Sequence, residues 1–193
     1  MSKHDTTAKI VDEILRYSIG TAVLITGVTL PGLMIGLDKP LDIFLKHLDK
    51  RERQREVRRI LKYMKAKGLL CGEYEHGLQL TDKARRRLQR ILLDDIKIAP
   101  ADTWSRKWYI VFYDIPEEKK HARNAFCAQL RQAGFILLQR STLISPFPCR
   151  SEVATIAAHY EVDTFITYIE ATYIDNAAPL IKRFQHKFPE TKF

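Results

Sequence analysis

Of the seven cations within residues 51–65, six share one side of a helix: Arg51, Arg55, Arg58, Arg59, Lys62 and Lys65. At 100° per residue they fall on one side of a helical wheel, between roughly 80° and 200° from Val57. Guanidinium and ammonium groups at that density are suited to phosphate binding, and arginine adds bidentate pairing to guanine edges. His76, Arg85 and Arg86 extend the array along the chain. Catalysis finds no comparable constellation. There is no GxxxxGK phosphate loop, no GxGxxG and no GxSxG. The six histidines show neither an HExxH motif nor a metal-ligand spacing. Cys71, Cys127 and Cys149 form no CxxC pair, which argues against a cysteine-built zinc site and against a disulfide framework, and fits a reducing cytosol. No cofactor is expected.

The chain that must position these residues has 193 residues, 46% hydrophobic and 28% charged, enough for one medium domain or two small ones. Its net charge of +9 is unevenly spread. Residues 46–97 hold sixteen Lys or Arg against eight Asp or Glu, whereas residues 1–45 hold four against five and residues 108–193 ten against nine. A basic module beside a neutral one points to one part that meets a large anion and another with a different task.

The basic module reads as helix, helix, hairpin, helix. Leu41, Phe44, Leu45 and Leu48 recur at helical spacing after Pro40. A longer helix follows, from about Lys50 to Lys67, with Val57, Ile60, Leu61 and Met64 as its apolar stripe. Gly68 is placed to end it. Two short strands then flank Glu75-His76-Gly77, and Thr81 with Asp82 can cap a helix over 82–96. Ahead of the module, Ile19–Leu37 runs nineteen residues without a charge, long enough to span a bilayer. Pro31, four Gly and three Thr interrupt it, so it is read as a helix buried in protein and broken near Pro31, with a membrane anchor as the alternative.

A basic helix followed at once by a small hairpin resembles a winged helix-turn-helix. The resemblance rests on Val57, Ile60, Leu61, Met64, Gly68, Leu69 and Leu70, then Leu78, Leu80, Thr81, Ala84 and Leu88. Many such domains carry Gly where Ala84 stands. It implies double-stranded DNA as partner, with Arg51, Arg55, Arg58, Arg59, Lys62, Lys65, His76, Arg85 and Arg86 at the interface.

In the second half, Trp108–Tyr113 is a run of strand formers. Pro116 opens a helix whose buried face is Ala122, Phe126, Leu130 and Ala133, closed by Gly134. A second strand is expected over Phe135–Ile144, a helix over Glu152–His159, a third strand over Thr164–Ile174 and a last helix marked by Leu180, Ile181, Phe184 and Phe188. That order suits a ferredoxin-like αβ sandwich with antiparallel pairing and room for a further short strand. The expected class is α+β, with a winged helix over 1–97 and a ferredoxin-like dimerisation domain over 104–193.

This half also resembles the central domain of the phenylacetate-degradation repressors, the PaaX-like regulators. Trp104, Lys107-Trp108 and Phe112-Tyr113-Asp114-Ile115-Pro116-Glu117 carry the resemblance, with Arg123, Leu130, Gly134-Phe135, Leu138, Ser141 and Ser145-Pro146. It implies a cytoplasmic homodimer that acts as a repressor on a roughly palindromic operator. It leaves room for a small-molecule effector without assigning an acyl-CoA. Full-length members have a third domain, which this chain is expected to lack. The same central domain is similar to the small nuclease-like subunit of CRISPR spacer acquisition, in which the first strand ends in an Asp. Asp114 matches that position. Paired across a dimer, two such carboxylates could hold a divalent metal and activate water. The alternative role for Asp114 is to cap the following helix or bond a loop. Regulator, metal-dependent nuclease and membrane-tethered regulator are thus the competing readings, with no catalytic residue and no metal expected.

Overall fold

The computed structural model describes residues 3–20, 44–46, 48–73 and 77–193. The chain divides into two compact units, Met1–Leu92 and Leu93–Phe193. The first is helical with a small hairpin, and the second is built on a four-stranded antiparallel sheet, so the class is α+β.

In the first unit, α1 (Lys3–Gly20) buries Thr7, Ile10, Val11, Ile14, Leu15 and Ser18, the i, i+3, i+4, i+7 rhythm of an amphipathic helix. Among the described residues no helix is long and apolar enough to cross a membrane. Residues 21–37 of the apolar stretch lie outside the described residues, as do 41–43 of the short helix expected after Pro40. The next helix, α2 (Lys50–Ala66), starts on a capping box: the Glu52 amide donates to Asp49 Oδ1 at 2.8 Å and the Asp49 amide donates to Glu52 Oε2 at 3.2 Å. It ends on a Schellman motif. Leu69 donates to the Met64 carbonyl, Gly68 donates to that of Lys65, and Gly68 takes φ +67°. Strands β1 (Leu70–Glu73) and β2 (Gly77–Leu80) pair antiparallel, with Leu70 opposite Leu80. Thr81 then begins α3 (Asp82–Asp95): its hydroxyl accepts from the Ala84 amide and donates to the Gly68 carbonyl.

In the second unit, β3 (Trp108–Tyr113) is central, flanked by β5 (Thr142–Ser145) and β6 (Ile166–Ala171), with β4 (Ile136–Gln139) outside β5. The order is β4-β5-β3-β6, every pairing antiparallel. With α4 (Lys120–Ala133) after β3 and α5 (Arg150–His159) after β5, the sequence of elements is β-α-β-β-α-β, the ferredoxin-like arrangement. Two expectations are corrected. The single strand over Phe135–Ile144 is a hairpin, because the chain turns at Arg140-Ser141 and slips register between Leu137 and Gln139. The strand expected over Thr164–Ile174 is shorter, since Asp163–Phe165 forms a 3₁₀ turn and pairing with β3 stops at Ala171.

Strand alternation divides the core. Tyr109, Val111 and Tyr113 face Phe126, Leu130, Val153 and Ile156 of α4 and α5. Trp108, Ile110 and Ile144 face Leu180 and Phe184 of α6 (Ala177–Lys187). Trp104 lies 4.6 Å from Trp108 and 5.7 Å from Phe193, ring centre to ring centre, so this aromatic pair belongs to the core.

Candidate nucleic-acid interface

The buried stripe of α2 is Val57, Ile60, Leu61 and Met64, as the apolar spacing requires. Their burial fixes which way every other side chain of the helix points. Arg51, Arg55, Arg58 and Lys62 are all exposed and have no ion-pair or hydrogen-bond partner among the described residues. Their spacing is i, i+4, i+7, i+11, so they form one narrow stripe spanning roughly 60° of the wheel and about 16 Å of helix. It lies roughly 140° from the apolar stripe.

Of the other cations of the array, Arg59, Lys65 and Arg85 are engaged within the unit. Arg59 pairs bidentately with Glu56 and its Nη2 donates to Thr7 at 3.2 Å. The Glu56 hydrogen bond raises its pKa further, against a smaller opposing effect of burial. Lys65 donates to the Gly72 carbonyl at 2.7 Å and so ties α2 to the hairpin. Arg85 pairs with Asp82 at 3.1 Å, and Arg86 is exposed. Arg87, which lies outside the expected interface set, pairs with Asp12 of α1 at 2.8 Å, both half-buried. His76 lies outside the described residues. Fold geometry thus separates a free stripe from a set of internal fasteners.

The remaining candidate, Asp114, ends β3 in the second unit. Its amide donates to the Phe165 carbonyl at 3.1 Å. Its carboxylate has no partner among the described residues, and the following 3₁₀ turn starts at Pro116 with no side-chain cap. The helix-capping role expected for it is therefore not made. Pro116 supplies the turn by its fixed φ of −63° instead. Asp114 sits on the rim of a cleft of about 550 Å³ with Arg123, Arg131 and Arg140. Glu117, in the same cleft, is neutralised by Lys120 at 3.0 Å and Arg123 at 2.9 Å, which together hold its carboxyl below the usual range. Among the described residues no group of three or more His, Cys, Asp or Glu could hold a metal ion. The arginine cluster is not legible as a unit in the sequence. Arg123 and Arg131 share a helix face at i, i+8, but Arg140 joins them only through the β4–β5 turn.

Residues 101–180 match the family described as the PaaX protein central Cas2-like domain. Over this stretch the chain is similar to the PaaX-like family. The match covers β3 to β6 and runs to Leu180 in α6, the whole of the ferredoxin-like arrangement. The PaaX resemblance drawn from Trp104 to Pro146 thus lies inside the matched stretch. The basic α2 and its hairpin lie outside it. No curated protein matches the chain.

Proposed function

We propose that the protein is a DNA-binding transcriptional regulator, a cytoplasmic repressor that grips a roughly palindromic operator as a homodimer. The observation that carries the reading is the free stripe of Arg51, Arg55, Arg58 and Lys62 on a helix whose opposite face is buried. A helix fits the major groove, and four unneutralised cations in line supply the salt-dependent attraction to phosphates. The hairpin that follows α2 gives the unit the order of a winged helix. The PaaX central domain in the same chain supports a regulator.

The second unit is the dimerisation module in this reading. Phe112 and Ile169, 40% and 42% exposed on the sheet face that α6 covers only in part, are its apolar surface for a second copy. Two subunits would then present two α2 helices to two half-sites.

The test is selection of bound fragments from a random-sequence duplex pool, followed by gel shifts of the winners against salt. Enriched two-fold symmetric sites and a steep salt dependence are expected. Recovery of no sequence above the starting pool would overturn the sequence-specific reading. Incubation with labelled DNA and RNA under magnesium or manganese is expected to leave both intact. Cleavage that disappears in Asp114→Ala would replace the regulator by the nuclease.

A further inference from the structure

The cleft beside Asp114 has a composition that neither DNA binding nor dimerisation uses. One wall is α4, which presents Arg123, Cys127 and Arg131 along one face. The β4–β5 hairpin contributes Leu137, Arg140 and Ser141. Tyr113 and Ile115 close the end, both buried. Its volume, about 550 Å³, is that of a small-molecule site.

The polar groups differ in how far they are satisfied. Arg123 is used: it donates to the Ile115 carbonyl at 3.2 Å and to Glu117 at 2.9 Å, and so braces the loop after β3. Arg131 spends only its Nε, on the Cys127 carbonyl at 3.3 Å. The Arg140 guanidinium and the Ser141 hydroxyl have no partner among the described residues. The Arg140 backbone, by contrast, is anchored, its carbonyl accepting from the Tyr113 hydroxyl at 2.9 Å. Two guanidiniums with free donors thus line the cleft from two elements, each on a fixed backbone, together with Cys127 and Ile115.

Cys127 and Tyr113 add no competing anion. Burial pushes the Cys127 thiol up, and burial first and Cys127 second push the Tyr113 phenol up, so both are neutral near pH 7. With Glu117 already neutralised, the cleft sets a single free carboxylate, Asp114, against Arg131 and Arg140. That balance attracts an anion and opposes the bare divalent cation that a strand-ending Asp would otherwise invite.

We infer that this cleft binds a small molecule carrying a carboxylate or phosphate, clasped between Arg131 and Arg140, with its less polar part against Cys127, Ile115 and Leu137. Guanidinium pairs hold such planar or tetrahedral anions by charge-assisted, bidentate hydrogen bonds. The inference rests on the second unit alone and stands whether or not α2 reads DNA.

The experiment is calorimetry and thermal-shift measurement on the full chain at constant ionic strength. Inorganic phosphate, succinate and hexanoate are the probes, and sodium chloride is the reference. At least one probe is expected to bind saturably, and which one does so separates a phosphate from a carboxylate ligand. Arg131→Gln with Arg140→Gln should weaken that binding by at least about tenfold. Asp114→Asn, which removes the like charge on the rim, should tighten it. Both variants change exposed side chains, and their circular dichroism and unliganded melting should match the parent. Three results would overturn the inference: no saturable binding of any probe, equal binding by the double-glutamine variant, or magnesium binding lost in Asp114→Asn. Loss of duplex binding in the double-glutamine variant, with no probe bound, would assign these arginines to nucleic-acid phosphates and also refute the small-molecule site.

Discussion

Replacing Arg51, Arg55, Arg58 and Lys62 one at a time by Ala tests the division of the cationic helix into free and fastened groups. Each of the four is exposed and unpartnered among the described residues, so its full charge is available to a phosphate. Taking one cation away from a phosphate should lower the slope of log K against log salt by about 0.9. Between 50 and 200 mM salt, log salt changes by about 0.6, so each variant should lose roughly 3.5-fold of the parent's salt response. The four together should remove up to about 3.6 from the slope. Arg59→Ala is the internal control. That guanidinium is already held by Glu56 and Thr7, so its removal should change the slope by well under half as much as Arg55→Ala. Stability should move within about 0.5 kcal/mol in the four stripe variants, because surface changes away from a packed face rarely do more. Fluorescence anisotropy on one fixed duplex at five salt concentrations gives the slopes, and urea melts give the stabilities. An unchanged slope in the folded quadruple variant would refute the phosphate-binding stripe. A slope change in Arg59→Ala equal to that in Arg55→Ala would refute the reasoning that internal pairing removes a cation from the interface.

Gly72→Ala should destabilise the protein by about 2–4 kcal/mol in urea melts, since its φ of +92° disfavours a side chain and a Cβ would stand 2.3 Å from the Gly77 carbonyl oxygen. Gly68→Ala, at φ +67° with nothing within 4 Å, should cost only about 1–2 kcal/mol, the left-handed conformation alone. Burial pushes the Cys149 thiol up from its ordinary 9.0 to about 11. The folded state therefore holds a proton that the unfolded chain releases first, and stability should hold below about pH 9 and fall as pH rises toward 11. In Cys149→Ala that fall should be shallower but still present, because burial also raises Cys127, while Lys187, lowered by burial, works in the opposite direction. An aromatic disulfide reagent should titrate one thiol quickly, exposed Cys71, and reach buried Cys127 and Cys149 only on unfolding.

Much of the basic module is legible in the sequence because helical periodicity is a local property. Val57, Ile60, Leu61 and Met64 recur at helical spacing, and all four are buried. Gly68 and Thr81 mark helix ends by their own backbone and side-chain chemistry, and they occupy those ends. The order of strands and helices in the second half follows from strand formers, Pro116 and Gly134 in the same way. Contacts between residues far apart in the chain are not legible. Glu56, three residues before Arg59, is visible in the sequence as its partner, but Thr7, fifty-two residues away, also accepts its hydrogen bond. Arg87 looks like one more member of a basic run until Asp12 of α1 meets it. Phe135–Ile144 reads as one strand although Gln139-Arg140-Ser141-Thr142 interrupts its apolar residues. Pairing between Leu137 and Leu143 is what folds it back. That turn brings Arg140 into the same cleft as Arg131, and the β3 end adds Asp114, so the cleft exists only in the tertiary structure. Charge and periodicity decide which residues can act. Which of those charges remain free depends on the partners that the fold brings to them.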